Sequence, residues 1–172
     1  MNPAVVLRGR VENNFTRKSV TSIKQTPGRP TVLIATIDSE IREALADFLE
    51  NASINAILAG SVGDVKMLVS RERIAACLCG FWLLDGTYRE VVRHLRRERI
   101  DIPTIIVSAP SCPQEYRDYL VAMNLGALDF LVYPYQKSDF ENLLESAIAG
   151  SSSSIRRQDS EKGENNRERG AA

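Results

Sequence analysis

The chain has 172 residues, 44% of them hydrophobic and 26% charged, which fits one ordinary folded domain with tails. Lys+Arg and Asp+Glu stand at 22 each, so the net charge singles out no class of partner. No run approaches the roughly 20 apolar residues of a membrane-spanning helix, and the opening apolar stretch is too short for a secretory signal core.

The charge is unevenly placed. Residues 1–30 carry Arg8, Arg10, Arg17, Lys18, Lys24 and Arg29 against Glu12 alone, so the rest of the neutral chain is acidic by the same margin. A basic, acid-poor start is also the composition of an organelle transit peptide, but the longer amphipathic pattern is missing. This segment lacks periodicity and closes on TPGRP, a turn-rich boundary. Residues 151–172 open SSSS and continue in charged and polar residues that cannot bury enough apolar surface to offset the cost of ordering. The expected organisation is a basic, disordered tail over 1–30, a folded domain over 31–150 and a disordered polar tail over 151–172.

Between the tails, strand and helix patterns alternate. TVLIATI at 31–37 is continuously apolar, as a parallel strand buried on both faces should be. Asp38 or Ser39 can cap the following helix, where Ile41, Leu45, Phe48 and Leu49 recur at helical spacing. Ile54 to Leu58 reads as a second strand, and Ser61 opens a helix through Val65, Leu68 and Val69. Ile74 to Cys79 is a third apolar strand, followed by a helix from Thr87 to Arg99 with Val91, Val92 and Leu95 inward. Pro103 opens a fourth strand, TIIVSA. Pro113 suits the first turn of the next helix and Gly126 its C-terminal stop. LDFLV at 128–132 is a fifth strand. Ser138 and Glu141 have capping-box spacing at the start of a last helix, which runs to about Ala149 with Phe140, Leu143, Leu144 and Ile148 on its buried side. Such βα alternation predicts a doubly wound α/β fold around a parallel sheet with right-handed crossovers. Order 2-1-3-4-5 is one of the two common arrangements, and its crevice lies beyond the carboxyl ends of the strands.

Other features have plain readings. Cys77 and Cys79 share one face of the third strand, and with Cys112 they show no zinc-ligand spacing, so buried reduced thiols are expected. His94 has no catalytic company and reads as a surface or half-buried side chain. Arg89, Arg93, Arg96, Arg97 and Arg99 make the third helix basic, but Glu90 and Glu98 are interleaved, which is the pattern of a solvated face. Phe81 and Trp82 follow the third strand, either buried at the sheet edge or forming a contact surface.

The residues after each strand carry a resemblance. IDSEIREAL after strand one, LLDG after strand three, IPTIIVSA in strand four and GALDFLVYPY with its following helix stand in the order found in the receiver domain of bacterial response regulators. The chain resembles that family over its central 120 residues, which implies a five-stranded (βα)5, flavodoxin-like fold of strand order 2-1-3-4-5. In the family, acids after strand one hold a divalent metal and an aspartate after strand three accepts the phosphoryl group. A Ser or Thr ends strand four, a lysine ends strand five, and catalysis rests on positioning and charge compensation. Carried over residue by residue, the acidic pair falls on Thr36 and Ile37, with Asp38 next to them as the remaining acid. The phosphoacceptor position falls on Gly80, the hydroxyl on Ser108 and the lysine on Tyr133.

The resemblance thus implies a degenerate pocket of Thr36, Ile37, Asp38, Gly80, Ser108 and Tyr133, with no catalytic residue, no metal site and no cofactor. Phe130, Tyr133 and Tyr135 form the candidate interaction face by the same analogy. The function expected is a stand-alone, cytoplasmic, non-enzymatic receiver-like protein of two-component signalling. It would act by contact with a histidine kinase, a response regulator or another pathway protein, with neither membrane nor nucleic acid as partner. The alternatives are a phosphate-responsive receiver using Asp85 or Asp38 unconventionally, and a flavodoxin-like module binding a small molecule or nucleic acid. The absence of a Gly-rich loop at TIDSE speaks against the small-molecule reading, and Asp85-Gly86 reads as a turn pair.

Overall fold

The apolar runs fold as a parallel sheet buried on both faces. A computed structural model describes residues 20–22, 25–108, 115–132 and 134–151. In chain order its elements are β1 (Val20–Ser22), β2 (Thr31–Ala35), α1 (Ser39–Asn51), β3 (Asn55–Ala59), α2 (Val62–Arg71) and β4 (Ala76–Gly80). There follow β5 (Trp82–Leu83), β6 (Gly86–Thr87), α3 (Tyr88–Arg97), β7 (Thr104–Ser108), α4 (Glu115–Leu125), β8 (Asp129–Val132) and α5 (137–151). The main sheet has the order β1-β3-β2-β4-β7-β8. Its five parallel strands therefore run second, first, third, fourth, fifth, as expected. No described helix is long and apolar enough to cross a membrane.

Strand periodicity divides the core in two. Leu33, Ile57, Cys77, Cys79 and Ile106 point to one face, where Val65 and Leu68 of α2, Val91 and Leu95 of α3 and Ala122 of α4 cover them. Val32, Ile34, Leu78, Ile105 and Val107 point to the other, against Ile41, Leu45 and Leu49 of α1 and Phe140, Leu144 and Ala147 of α5. Each fully buried Leu, Ile or Phe stabilises the fold by about 1.5–3 kcal/mol. Both faces are covered because a parallel sheet needs crossover helices, and those helices have nowhere else to bury their apolar stripes.

Local chemistry sets the helix ends. Asp38 caps α1 by accepting from Ile41 N at 3.0 Å, and Ser61 caps α2 by accepting from Asp64 N at 2.9 Å. Thr87 and Glu90 make a capping box on α3, the Thr87 N–H donating to the Glu90 carboxylate at 2.8 Å. Gly126 stops α4 with φ +100, a conformation open to glycine, and its N–H donates to Ala122 O and Met123 O. The Thr87 hydroxyl and backbone hold the Glu90 carboxyl below its usual range.

The structure departs from the sequence expectation at both ends of the domain. Within residues 1–30, Val20–Ser22 form β1, antiparallel to β3, so the sheet has a sixth strand. Three residues are too short to signal a strand, yet they satisfy the backbone groups that β3 would otherwise leave open. Residues 25–30 are also tied down, because the buried Asn55 side chain accepts from Thr26 N and donates to Thr26 O, both at 2.9 Å. At the other end α5 begins at 137, which puts Ser138 inside the first turn rather than at the cap, with Lys137 and Glu141 paired at 3.7 Å. The helix includes Ser151, whose buried hydroxyl donates to Ala75 O and Ala147 O, so the domain extends one residue past the expected boundary. Residues 1–19 and 152–172, with Cys112 and Pro113, lie outside the described residues.

His94, the chain's single histidine, is half-buried on α3 with its Nδ1 enclosed and without a hydrogen-bond partner. Burial holds its pKa below the ordinary value; Glu98 opposes this, while Lys66 and Arg97 add to it. With a folded pKa below the unfolded one, the unfolded chain binds more protons in that window, so stability falls as pH drops through the unfolded value of about 6.5. Thermal melts should therefore fall between about pH 7.5 and 5.5, and His94→Gln should flatten that slope.

Candidate functional site

The carboxyl ends of β2, β4 and β7 lie side by side, which brings Thr36, Gly80 and Ser108 to one crevice. The first strand ends at Ala35, so Thr36 and Ile37 stand in the turn that follows. Thr36 is buried, its N–H donates to Ala59 O at 3.1 Å and its hydroxyl accepts from Asp38 N at 3.1 Å. Thr36 thus joins the end of β3 to the start of α1.

Thr36 also presses on β4. Gly80 is the last residue of β4, and a Cβ placed there would lie 2.7 Å from Thr36 Cβ and 3.4 Å from Ala35 O, closer still to the Thr36 hydroxyl. Real Cβ contacts do not approach the first of these distances, so the Thr36 side chain occupies the space that any side chain at position 80 would need. The position implied as phosphoacceptor is therefore not merely short of a carboxylate; its volume is filled by a neighbour.

The remaining site residues are placed as follows. Ser108 ends β7, fully buried, in register with Val132. Ile37 is 39% exposed and offers no ligand atom on its side chain. Asp38 is engaged as the cap of α1. Tyr133 lies outside the described residues. The donor set is one capping carboxylate and two hydroxyls, which does not fit a magnesium ion that demands octahedral oxygen ligation. Among the described residues no group of three His, Cys, Asp or Glu could hold a metal.

Asp85, the alternative acceptor, sits in a feature the sequence did not announce. β5 and β6 form a small antiparallel hairpin directly after β4, turning at Leu84 and Asp85 rather than at Asp85-Gly86. Leu84 N–H donates to Gly60 O at 2.9 Å, so the hairpin folds toward the exit of β3. The Asp85 carboxylate accepts from Val62 N at 2.5 Å and Gly63 N at 3.1 Å, at the start of α2. It serves as a second cap for that helix, 23 residues away in sequence from Val62. Its neighbour Trp82 is 60% exposed and Leu84 56% exposed, so the aromatic after strand three faces outward.

Of the candidate interaction face, Phe130 and Tyr135 are among the described residues. Phe130 is buried on the α2–α3–α4 side, edge-on to Tyr119 at 6.4 Å between ring centres. Tyr135 lies on the α1–α5 side, stacked on Phe140 at 4.9 Å. Phe130 follows the alternation of β8, whereas Tyr135 comes after the strand and packs under α5, so the two rings sit on opposite faces of the sheet. On α3, Arg89 pairs with Asp118 at 2.8 Å, Arg97 with Glu98 at 3.0 Å and Arg93 with Glu90 at 3.9 Å, which suits a solvated face better than a nucleic-acid surface. Two cavities, of about 610 and 290 Å³, lie at the amino end of the sheet around Asp101, Pro103 and Leu128, away from Thr36, Gly80 and Ser108.

No protein-family model matches the sequence. The chain is 25% identical over 120 residues to the response regulator protein PilR of Pseudomonas aeruginosa, covering 70% of this chain and 26% of that protein. It thus spans about a quarter of the length of that relative. Among solved structures it is similar to a response regulator receiver protein from Pseudomonas putida, with 24% identity and a TM-score of 0.61, over 70% of this chain and 99% of that one. It is also similar to the receiver domain of a sensor histidine kinase from Pseudomonas aeruginosa PAO1, which carries a magnesium ion in its active site cleft, with 15% identity and a TM-score of 0.61 over 70% and 98% of the two chains. With the sheet order and both faces of helices accounted for, the described domain has the fold of the response-regulator receiver domains it is similar to.

Proposed function

We propose that this receiver-like domain works without phosphoryl transfer, as a cytoplasmic adaptor in two-component signalling that binds a histidine kinase, a response regulator or another pathway protein. The observation that supports this most is the Thr36 side chain against Gly80, which leaves no room for an acceptor side chain. The degenerate pocket of Thr36, Ile37, Asp38, Gly80, Ser108 and Tyr133 is then a remnant whose scaffold is kept for its surface. Asp38 and Asp85 are each engaged at a helix N-terminus, which argues against either as an unconventional acceptor. Without phosphorylation the usual bias between two receiver conformations is missing, so the adaptor presents one fixed fold to its partner.

The test is incubation with a small phosphodonor and magnesium, followed by intact-mass spectrometry. No gain of a phosphoryl group is expected. A stoichiometric, hydroxylamine-labile adduct that disappears in Asp85→Ala or Asp38→Ala would overturn the reading in favour of an unconventional acceptor.

A further inference from the structure

The β5–β6 hairpin exposes Trp82 and Leu84, and Ile37 is exposed at the same end of the sheet. The segments that carry these apolar side chains, with the start of α2, are predominantly acidic. Residues 36–40, 60–64 and 80–90 carry Asp38, Glu40, Asp64, Asp85 and Glu90 against Arg89, and Arg93 just beyond them pairs with Glu90. Arg89 is paired with Asp118. One oxygen of Asp64 is enclosed with no hydrogen-bond partner. The N-terminal ends of α1 and α2 offset part of this charge, but no further side-chain cation stands in these segments.

The strand direction of β1 brings a complementary segment to the same place. β1 is antiparallel to β3, with Val20 opposite Ala59 and Ser22 opposite Ile57. The chain therefore enters β1 at the carboxyl end of β3, one residue from Gly60, whose carbonyl holds the hairpin through Leu84 N–H. The preceding residues, 1–19, carry Arg8, Arg10, Arg17 and Lys18 against Glu12, together with apolar Val5, Val6, Leu7 and Phe15. Arg17 and Lys18 lie within three residues of the strand in sequence, and Asp64 and Asp85 stand at the start of α2 beside the end of β3. Reach is not limiting: 19 residues span up to roughly 60 Å extended, whereas β3 and β4 are two strand spacings, about 10 Å, apart.

We propose that residues 1–19 dock in cis on the Trp82–Leu84 hairpin. Their apolar side chains cover Trp82 and Leu84 and their cations meet the surrounding carboxylates. A partner that uses this surface must displace the chain's own segment, which makes the segment an internal competitor.

Trp82 is the chain's single tryptophan, so its fluorescence reports on this surface alone. The experiment compares acrylamide quenching in the full chain with a full-length variant carrying Arg8→Glu, Arg10→Glu, Arg17→Glu and Lys18→Glu. The variant should be quenched about twofold more strongly, with red-shifted emission, because its charges now repel the acidic rim. Unchanged quenching in a variant that keeps the wild-type melt overturns the proposal. Wild-type quenching that weakens as protein concentration rises also overturns it, since the cover is then a second copy. Should the variant fail to fold, the wild type decides: quenching must rise between about 20 mM and 0.5 M salt, and a flat response overturns the proposal.

Discussion

Replacing Gly80 with alanine should cost about 1–3 kcal/mol of stability, the range for forcing extra atoms into a well-packed site. Aspartate should cost more and create no phosphoacceptor. The added Cβ would stand 2.7 Å from Thr36 Cβ, and the backbone has little freedom to retreat. Gly80 pairs with Val107 on one side, and Cys79 before it pairs with Ala35 on the other. An aspartate would also bring a carboxylate into a place bounded by a threonine and the Ala35 carbonyl, and an unpaired buried charge costs several kcal/mol. Urea denaturation of double mutants separates this from a backbone effect. Thr36→Gly removes both crowding atoms, so the Gly80→Ala penalty should fall by more than half in that background. Thr36→Ala removes the hydroxyl but leaves Cβ in place, so most of the penalty should remain. Equal penalties in all three backgrounds would mean that Gly80 is required for a reason other than Thr36.

Asp85→Ala should lower stability by about 2 kcal/mol, the scale for losing a charged cap with a buried donor behind it. Its carboxylate receives two N–H groups at the start of α2, and Val62, which supplies one of them, is buried. Ser61 already serves Asp64 N and cannot take over. Asp85→Asn keeps an acceptor and loses the charge, so it should recover about half of the loss. Thermal melts measure the total, and amide exchange at Val62 and Gly63 locates it. A neutral Asp85→Ala would remove the case for Asp85 as a cap and reopen its role in the crevice.

The fold was legible because each layer wrote a separate signal. The strands of β2, β4 and β7 are apolar runs, and the helices α1, α2 and α3 repeat apolar residues at helical spacing behind Asp38, Ser61 and Thr87. What stayed hidden depends on contacts between distant residues. The resemblance puts the acceptor position at Gly80, but the obstruction by Thr36 arises only when β2 and β4 pair. Asp85 looked like part of a turn because the helix it caps precedes it by more than twenty residues, where no local pattern can point. Phe130 and Tyr135 are close in sequence yet end on opposite faces, since one obeys the alternation of β8 and the other follows it. Trp82 had two open readings, and the hairpin that turns it outward is four strand residues with a two-residue turn, too brief for periodicity to register.

The antiparallel β1 gives the sheet a direction for growth. It lies on the outer side of β3 and occupies the backbone groups there with the protein's own chain. At the opposite margin β8 pairs with β7, and among the described residues nothing pairs with its outer side. Strand addition by another polypeptide, whether a regulatory peptide or the first step of aggregation, therefore meets β8 at one margin and only the three-residue β1 at the other. Sequence changes that loosen Val20–Ser22 would make the longer β3 the edge and ease growth from that side.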